Sequence, residues 1–311
     1  MGPRSAFTWL MVAGLVGCRT APAGEEPPTA GSSATTTSTT NATSTSSATT
    51  TSNAGSTGMT LFASAMARTK GITLPAVEST LPAAADGLPM VTITKSELLV
   101  GNEHIADVPA GSLGFEAAIK RAQTRSALQV MPLDAALRTL HARDTGDTTL
   151  RLLVDATTSY RSALEAVFTA SHAGFTEFRF VVASKAGERS VPANTPSKAE
   201  WGAAHTVGAP QPPSFVLSPD GVTLSVGKVT IGAGCTVGAA GPAIPASGGT
   251  LDPARIAACA ARIRAMKPEW ARLPAAANVT AASQLDMQTV LSIVVGIEAT
   301  FPVVHFGMLS G

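Results

Sequence analysis

The sequence predicts an α+β fold: two small β-β-α-β-α-β domains in tandem, behind a signal peptide and a disordered Ser/Thr-rich stalk. Three observations predict it. A short apolar stretch after Arg4 ends at Cys18, 17 of the 21 residues from Ser32 to Ser52 are Ser or Thr, and one strand and helix pattern occurs twice between the stalk and the C-terminus. Roughly 250 of the 311 residues are left to build cores, room for two small domains or one of medium size.

Residues 1–18 have the anatomy of a secretory signal: a positive charge at Arg4, an apolar run from Ala6, and small residues at its end. Residues 19–58 come next as a linker. Their Ser/Thr tract holds no periodic apolar residue to offset the entropy of ordering, so a disordered stalk is expected, either a plain spacer or one that carries O-linked sugar.

The first domain is placed at 59–184. Val91-Thr-Ile93 and Leu98-x-Val100-Gly101-x-x-x-Ile105 predict an opening hairpin around a Gly turn. A helix starts at Pro132 with Leu133, Leu137 and Leu140 on one face; Leu150 to Val154 is a strand. Leu164, Val167 and Phe168 mark a second helix closing near Gly174, and Phe178 to Val182 is the last strand. Residues 185–213, rich in Ala, Pro, Gly and Ser, read as a linker, and 214–311 as the second domain. There Leu224-x-Val226-Gly227-x-x-x-Ile231 repeats the hairpin at an offset of 126, and an offset of 123 places Leu133 on Ile256, Leu164 on Met287 and Phe178 on Phe301.

Composition removes several function classes. With 22 Lys and Arg against 21 Asp and Glu, the chain has no basic field to hold nucleic acid. The three cysteines form no CxxC, and the histidines (104, 141, 172, 205, 305) stand apart, so neither a metal site nor a cofactor is expected. The Gly-rich run Gly232-Ala-Gly234-Cys-Thr-Val-Gly238 leads into more loop instead of a helix, which favours a flexible turn over a phosphate cradle. His305 reads as a half-buried histidine in an edge strand. No nucleophile and base pair with a physical reason for its partners, so no catalytic residue is named and a non-enzyme is expected.

Two stretches resemble known proteins. Leu15-Val16-Gly17-Cys18 resembles the lipobox of bacterial lipoproteins, which implies lipidation of Cys18 and an anchor at the periplasmic side of a cell-envelope membrane. Arg19 gives the outer membrane a slight preference. Gly71-Ile-Thr-Leu-Pro75, Leu88 to Thr94, Leu98 to Gly101, and above all Val154-Asp-Ala-Thr-Thr-Ser-Tyr160 through Ala173-Gly-Phe175 resemble the periplasmic domain of the ExbD/TolR family of biopolymer-transport proteins. Val108 to Gln129 is longer than usual for that family. The second copy departs further, with Asn278 in place of Asp155 and Ser283 in place of Tyr160. Family members anchor through a transmembrane helix with a proton-handling Asp, which a lipobox replaces here, so a stator role is not implied.

The resemblance implies a lipoprotein that binds envelope proteins or peptidoglycan, as an accessory to a motor or transport complex or as a structural cell-wall tether. Asp155 and Tyr160, at a strand-to-helix loop, are the candidate partner-binding residues; Asp155 serves equally to open that turn or cap the following helix. Cys235 and Cys259 are either a disulfide, which an exported chain favours, or two separate buried thiols. The two copies are expected to pack as an intrachain pseudo-dimer or to stay independent on their linker.

Overall fold

A computed structural model of the chain describes residues 72–78, 81–84, 87–122, 127–143, 148–194 and 211–308. Cys18, the lipobox and the Ser/Thr stalk lie outside the described residues. Among the described residues the fold is mixed α+β, with 13 strands in one sheet and four α-helices. The N-terminal half contains β1 (Met90–Ile93), β2 (Glu97–Val100), β3 (Glu103–Asp107), α1 (Met131–Arg143), β4 (Thr149–Val154), α2 (Tyr160–Ala173), β5 (Glu177–Ser184) and β6 (Gly187–Asn194). The C-terminal half contains β7 (Pro213–Ser218), β8 (Gly221–Val226), β9 (Val229–Gly232), β10 (Thr236–Val237), β11 (Ile244–Pro245), α3 (Pro253–Met266), β12 (Ala276–Ala281), α4 (Met287–Glu298) and β13 (Val303–Met308).

Strands run across the sheet in the order β10-β9-β8-β7-β12-β13-β6-β5-β4-β1-β2-β3, with β11 beside β8. Both halves share one neighbour order, β3-β2-β1-β4-β5 and β9-β8-β7-β12-β13, in which the first strand lies parallel to the fourth and the fourth to the fifth. Alternation along the strands explains the layers. Leu150, Leu152 and Val154 of β4, Phe178, Phe180 and Val182 of β5, and Val304 and Phe306 of β13 join the apolar stripes of the helices in one contiguous core.

The helix boundaries arise from local chemistry. Ser159 caps α2 by accepting from the Ser162 N–H, and Gly174 closes it in the left-handed conformation, φ 112°. Asp252 caps α3 with Pro253 at its start, and Asp286 caps α4.

Four expectations need correction. Among the described residues three strands, not two, precede α1 and five precede α3, because the turns at Gly101 and Gly227 (φ 58° and 57°) fold Leu98–Ile105 and Leu224–Ile231 into hairpins behind β1 and β7, and β10 and β11 follow in the second half. The start of the expected linker is β6, which pairs with β5 along its whole length through the two-residue turn Lys185-Ala186. Buried Val191 and Ala193 hold it despite Pro192, a residue that argues against a strand interior. β13 lies between β12 and β6, so His305 is a buried residue of an inner strand.

The fourth correction concerns the repeat. The caps Ser159 and Asp286 stand 127 residues apart, so the second-half counterparts of Asp155 and Tyr160 are Ala282 and Met287. The offset of 123 fits the first helix pair, but the connection after α3 contains the 3₁₀ turn Pro268–Arg272, with Trp270 buried, and is longer. The slip is four residues, close to one helical turn, so an i, i+4 apolar stripe matches at either offset.

Candidate functional site at the junction of the halves

Asp155 sits just after β4 and is fully buried. Its Oδ1 accepts from the Thr157 N–H (3.0 Å) and hydroxyl (2.6 Å), and its Oδ2 accepts from the Thr73 N–H (3.0 Å). Burial pushes this carboxyl up, but those hydrogen bonds and the charge of Lys95 together outweigh it and hold the group below its ordinary value. Of the two local roles the sequence leaves open, the structure gives Asp155 the turn; Ser159 is the cap. The carboxylate also fastens residues 72–78 to the loop, since the Ala156 N–H donates back to the Thr73 carbonyl at 2.7 Å.

Tyr160 is buried too. Its hydroxyl donates to the Gly307 carbonyl of β13 at 2.5 Å, and its ring lies against Phe306, centroids 6.4 Å apart. Burial raises its phenol well above the ordinary value. Both candidate partner-binding side chains are therefore spent inside the chain, Asp155 on the segment before β1 and Tyr160 on the opposite half.

The β4–α2 and β12–α4 loops meet face to face. The Tyr160 N–H donates to the Leu285 carbonyl and the Met287 N–H to the Thr158 carbonyl, at 2.7 and 2.9 Å. The Arg161 N–H donates to the Ser283 carbonyl and the Gln288 N–H to the Ala156 carbonyl, at 3.3 and 2.9 Å. At the offset of 127 these are two reciprocal pairs, the i-to-j and j-to-i signature of an isologous contact. The donors are the first two N–H groups of α2 and of α4, which no helix satisfies internally.

Beside this junction, Gln288 grips the backbone of Ala76 twice: its Oε1 accepts from the Ala76 N–H (2.7 Å) and its Nε2 donates to the Ala76 carbonyl (2.8 Å). The position equivalent to Gln288 in the first half is Arg161, and its surroundings differ. Fully buried Glu165 takes Lys120 Nζ (2.7 Å) and Arg161 Nε (2.9 Å) on Oε1 and the Phe115 N–H (2.9 Å) on Oε2. A side chain at Gly114 would crowd the cluster, because a Cβ would stand 2.9 Å from the same carboxylate. An open depression of about 360 Å³ lies over this cluster, lined by Leu113, Gly114, Lys120, Arg161 and Ser283 among others.

Sequence reasoning missed Glu165, Lys120, Arg161 and Gln288. The one available signal was the length of Val108 to Gln129, which supplies Lys120 and the loop that Glu165 pins.

The structure joins Cys235 to Cys259 in a disulfide, Cα atoms 5.8 Å apart, which ties the loop after β9 to α3. The Gly-rich run is an ordered hairpin there: Gly232 lies so close to the Ala239 carbonyl that no side chain fits, and Gly234, Cys235 and Gly238 have positive φ. Among the described residues no group of three His, Cys, Asp or Glu side chains could hold a metal, and no helix is long and apolar enough to cross a membrane. No family model matches the chain, and no curated protein or solved structure matches it either.

Proposed function

We propose that this protein is a lipid-anchored envelope scaffold without catalytic activity, whose two copies of one unit pack as an intrachain pseudo-dimer and bind partner proteins. The observation that carries the reading is the reciprocal bonding of the two strand-to-helix loops: each half covers the orphan helix N–H groups of the other. The side chains that carry the ExbD/TolR resemblance are spent inside the chain, Tyr160 on the opposite half and Asp155 on the segment before β1, so the outward surfaces are what remain for partners. The Leu15-Val16-Gly17-Cys18 motif supports the anchor, and the Ser/Thr-rich composition of the adjoining tract suits a spacer between anchor and scaffold.

Two measurements test this. Cys18→Ala should abolish metabolic labelling by a radioactive fatty acid, and labelling that persists in the variant removes the anchor. Crosslinking in intact cells, with identification of the captured species, should return envelope proteins. Retention on purified cell-wall sacculi with no protein captured would favour a structural tether instead.

A further inference from the structure

We propose that the depression over Glu165 is an interaction site for an extended peptide of a partner protein that carries a carboxylate, the pseudo-symmetric counterpart of the groove that holds residues 73–77. In the occupied groove the Asp155 carboxylate and the Ala183 backbone hold residues 73–77, and Ala156 and Gln288 add to them: the Ala156 N–H binds the Thr73 carbonyl, and the Gln288 amide reads both the donor and the acceptor of Ala76. The counterparts of Ala156 and Gln288 at the offset of 127 are Ser283 and Arg161, and both line the open depression.

The change from Gln to Arg dictates the chemistry of the occupant. An amide has one donor side and one acceptor side and suits a peptide backbone; a guanidinium offers donors only. Arg161 spends Nε on Glu165, and its two terminal nitrogens make no bond among the described residues. Lys120 adds a second cation over the same buried carboxylate, so two positive charges face one negative and the cluster keeps a net charge of one. A carboxylate docked on Arg161 would balance it with bidentate geometry. Leu113, half-exposed at the rim, offers an apolar contact to a neighbouring side chain of the same peptide. Glu165 holds the loop bearing Phe115 and Lys120 in place beforehand, so little ordering is needed on binding.

The site rests on the partner-binding reading above, and the two fail separately. The test is fluorescence anisotropy of the purified full-length protein with a labelled eight-residue peptide of alternating Val and Glu, against a twin with Gln for Glu. Saturable binding is expected, at least tenfold weaker for the Gln twin, and at least tenfold weaker for Arg161→Gln and Lys120→Gln proteins whose thermal melts show them folded. The same Glu peptide with a terminal benzophenone should crosslink wild-type protein within residues 112–120, a readout independent of any variant. Equal binding of the two peptides, crosslinking elsewhere, or no peptide binding by a protein that still captures partners in cells overturns the site and leaves the scaffold reading intact. Retention on sacculi that Arg161→Gln abolishes, with no peptide binding, overturns it in favour of a cell-wall ligand.

Discussion

The two halves share a strand order and a helix pattern, yet different chemistry holds them together. Apart from His305, the buried polar and charged side chains among the described residues lie in the N-terminal half, including Thr92, Asp134, Arg151, Asp155, Glu165, Thr169 and Ser190. The C-terminal half fills the same layers with apolar side chains, notably Met287, Val290, Leu291, Ile293, Val294 and Ile297 of α4, and adds the Cys235–Cys259 disulfide. One topology is thus held in one half by polar networks centred on Asp155 and Glu165 and in the other by dispersion and a covalent tie. A polar network is lost as a unit when one member is removed, whereas apolar packing tolerates change of similar volume. That contrast orders the effects expected from perturbing each half.

The largest effect is expected in the C-terminal half. Cys235→Ser with Cys259→Ser should lower unfolding stability by about 3.5 kcal/mol, the chain-entropy value for a loop of this length. Denaturant titration gives the number, and a loss below about 1 kcal/mol would mean the apolar core alone holds this half.

In the N-terminal half, Glu165→Ala strips three donors of their acceptor and leaves Lys120 as a mostly buried cation, at an expected cost of about 2–3 kcal/mol. Glu165→Gln should recover part of that, since the amide oxygen still accepts. Asp155→Ala should cost about 1–3 kcal/mol by orphaning the Thr73 and Thr157 donors, and proteolysis near residues 72–78 should rise with it. Because the folded state holds this carboxyl below its ordinary value, its stabilisation is present above the unfolded pKa and fades as pH falls through the folded one. Asp155→Ala should flatten the acid limb of the stability profile accordingly.

The smallest effect has the opposite sign. Burial at the end of α4 pushes Glu298 up to about 7, with Oε2 lacking a partner among the described residues. The folded state therefore binds this proton more tightly than the unfolded state, and stability from this group falls as pH rises from the ordinary carboxylate value toward 7. Glu298→Gln should stabilise the protein near neutral pH by about 1 kcal/mol, allowing for partial solvent screening, and should remove that slope. A melting temperature at about pH 7.5 that does not rise would show the carboxylate to be solvated.

How legible all this was in the sequence depended on which force dominated locally. Strands with alternating apolar residues and helices with capping signals, such as Leu150 to Val154 and the helix ending at Gly174, could be read directly because burial and capping are local in sequence. β6 could not, since Gly187, Ser190 and Pro192 carry weak strand propensity and only pairing with β5 and the burial of Val191 define it. The repeat was visible but misregistered by one helical turn, because apolar periodicity cannot distinguish shifts of four. Capping residues can, and Ser159 against Asp286 fixes the alignment. Asp155 and Tyr160 stand out in the sequence as polar groups at a loop mouth, and the turn that Asp155 makes with Thr157 is local, but their other partners, Thr73 and Gly307, are 82 and 147 residues away, beyond any local rule. In the sequence Glu165 and Arg161 are two opposite charges four residues apart; only the fold brings Lys120 and Phe115 onto the same carboxylate.

The reciprocal junction makes the two halves one unit, and residue-resolved amide hydrogen exchange tests it most directly. The N–H groups of Tyr160, Arg161, Met287 and Gln288 occupy the first turns of their helices, where amides normally exchange freely, and in this fold they are bonded across the junction. All four should be protected, with the same opening free energy, and Tyr160→Phe, which removes the hydroxyl bond to Gly307, should lower that free energy for all four together by about 1 kcal/mol. Four amides that exchange at the rate of open loop residues, or that respond to the substitution one by one, would contradict the pseudo-dimer.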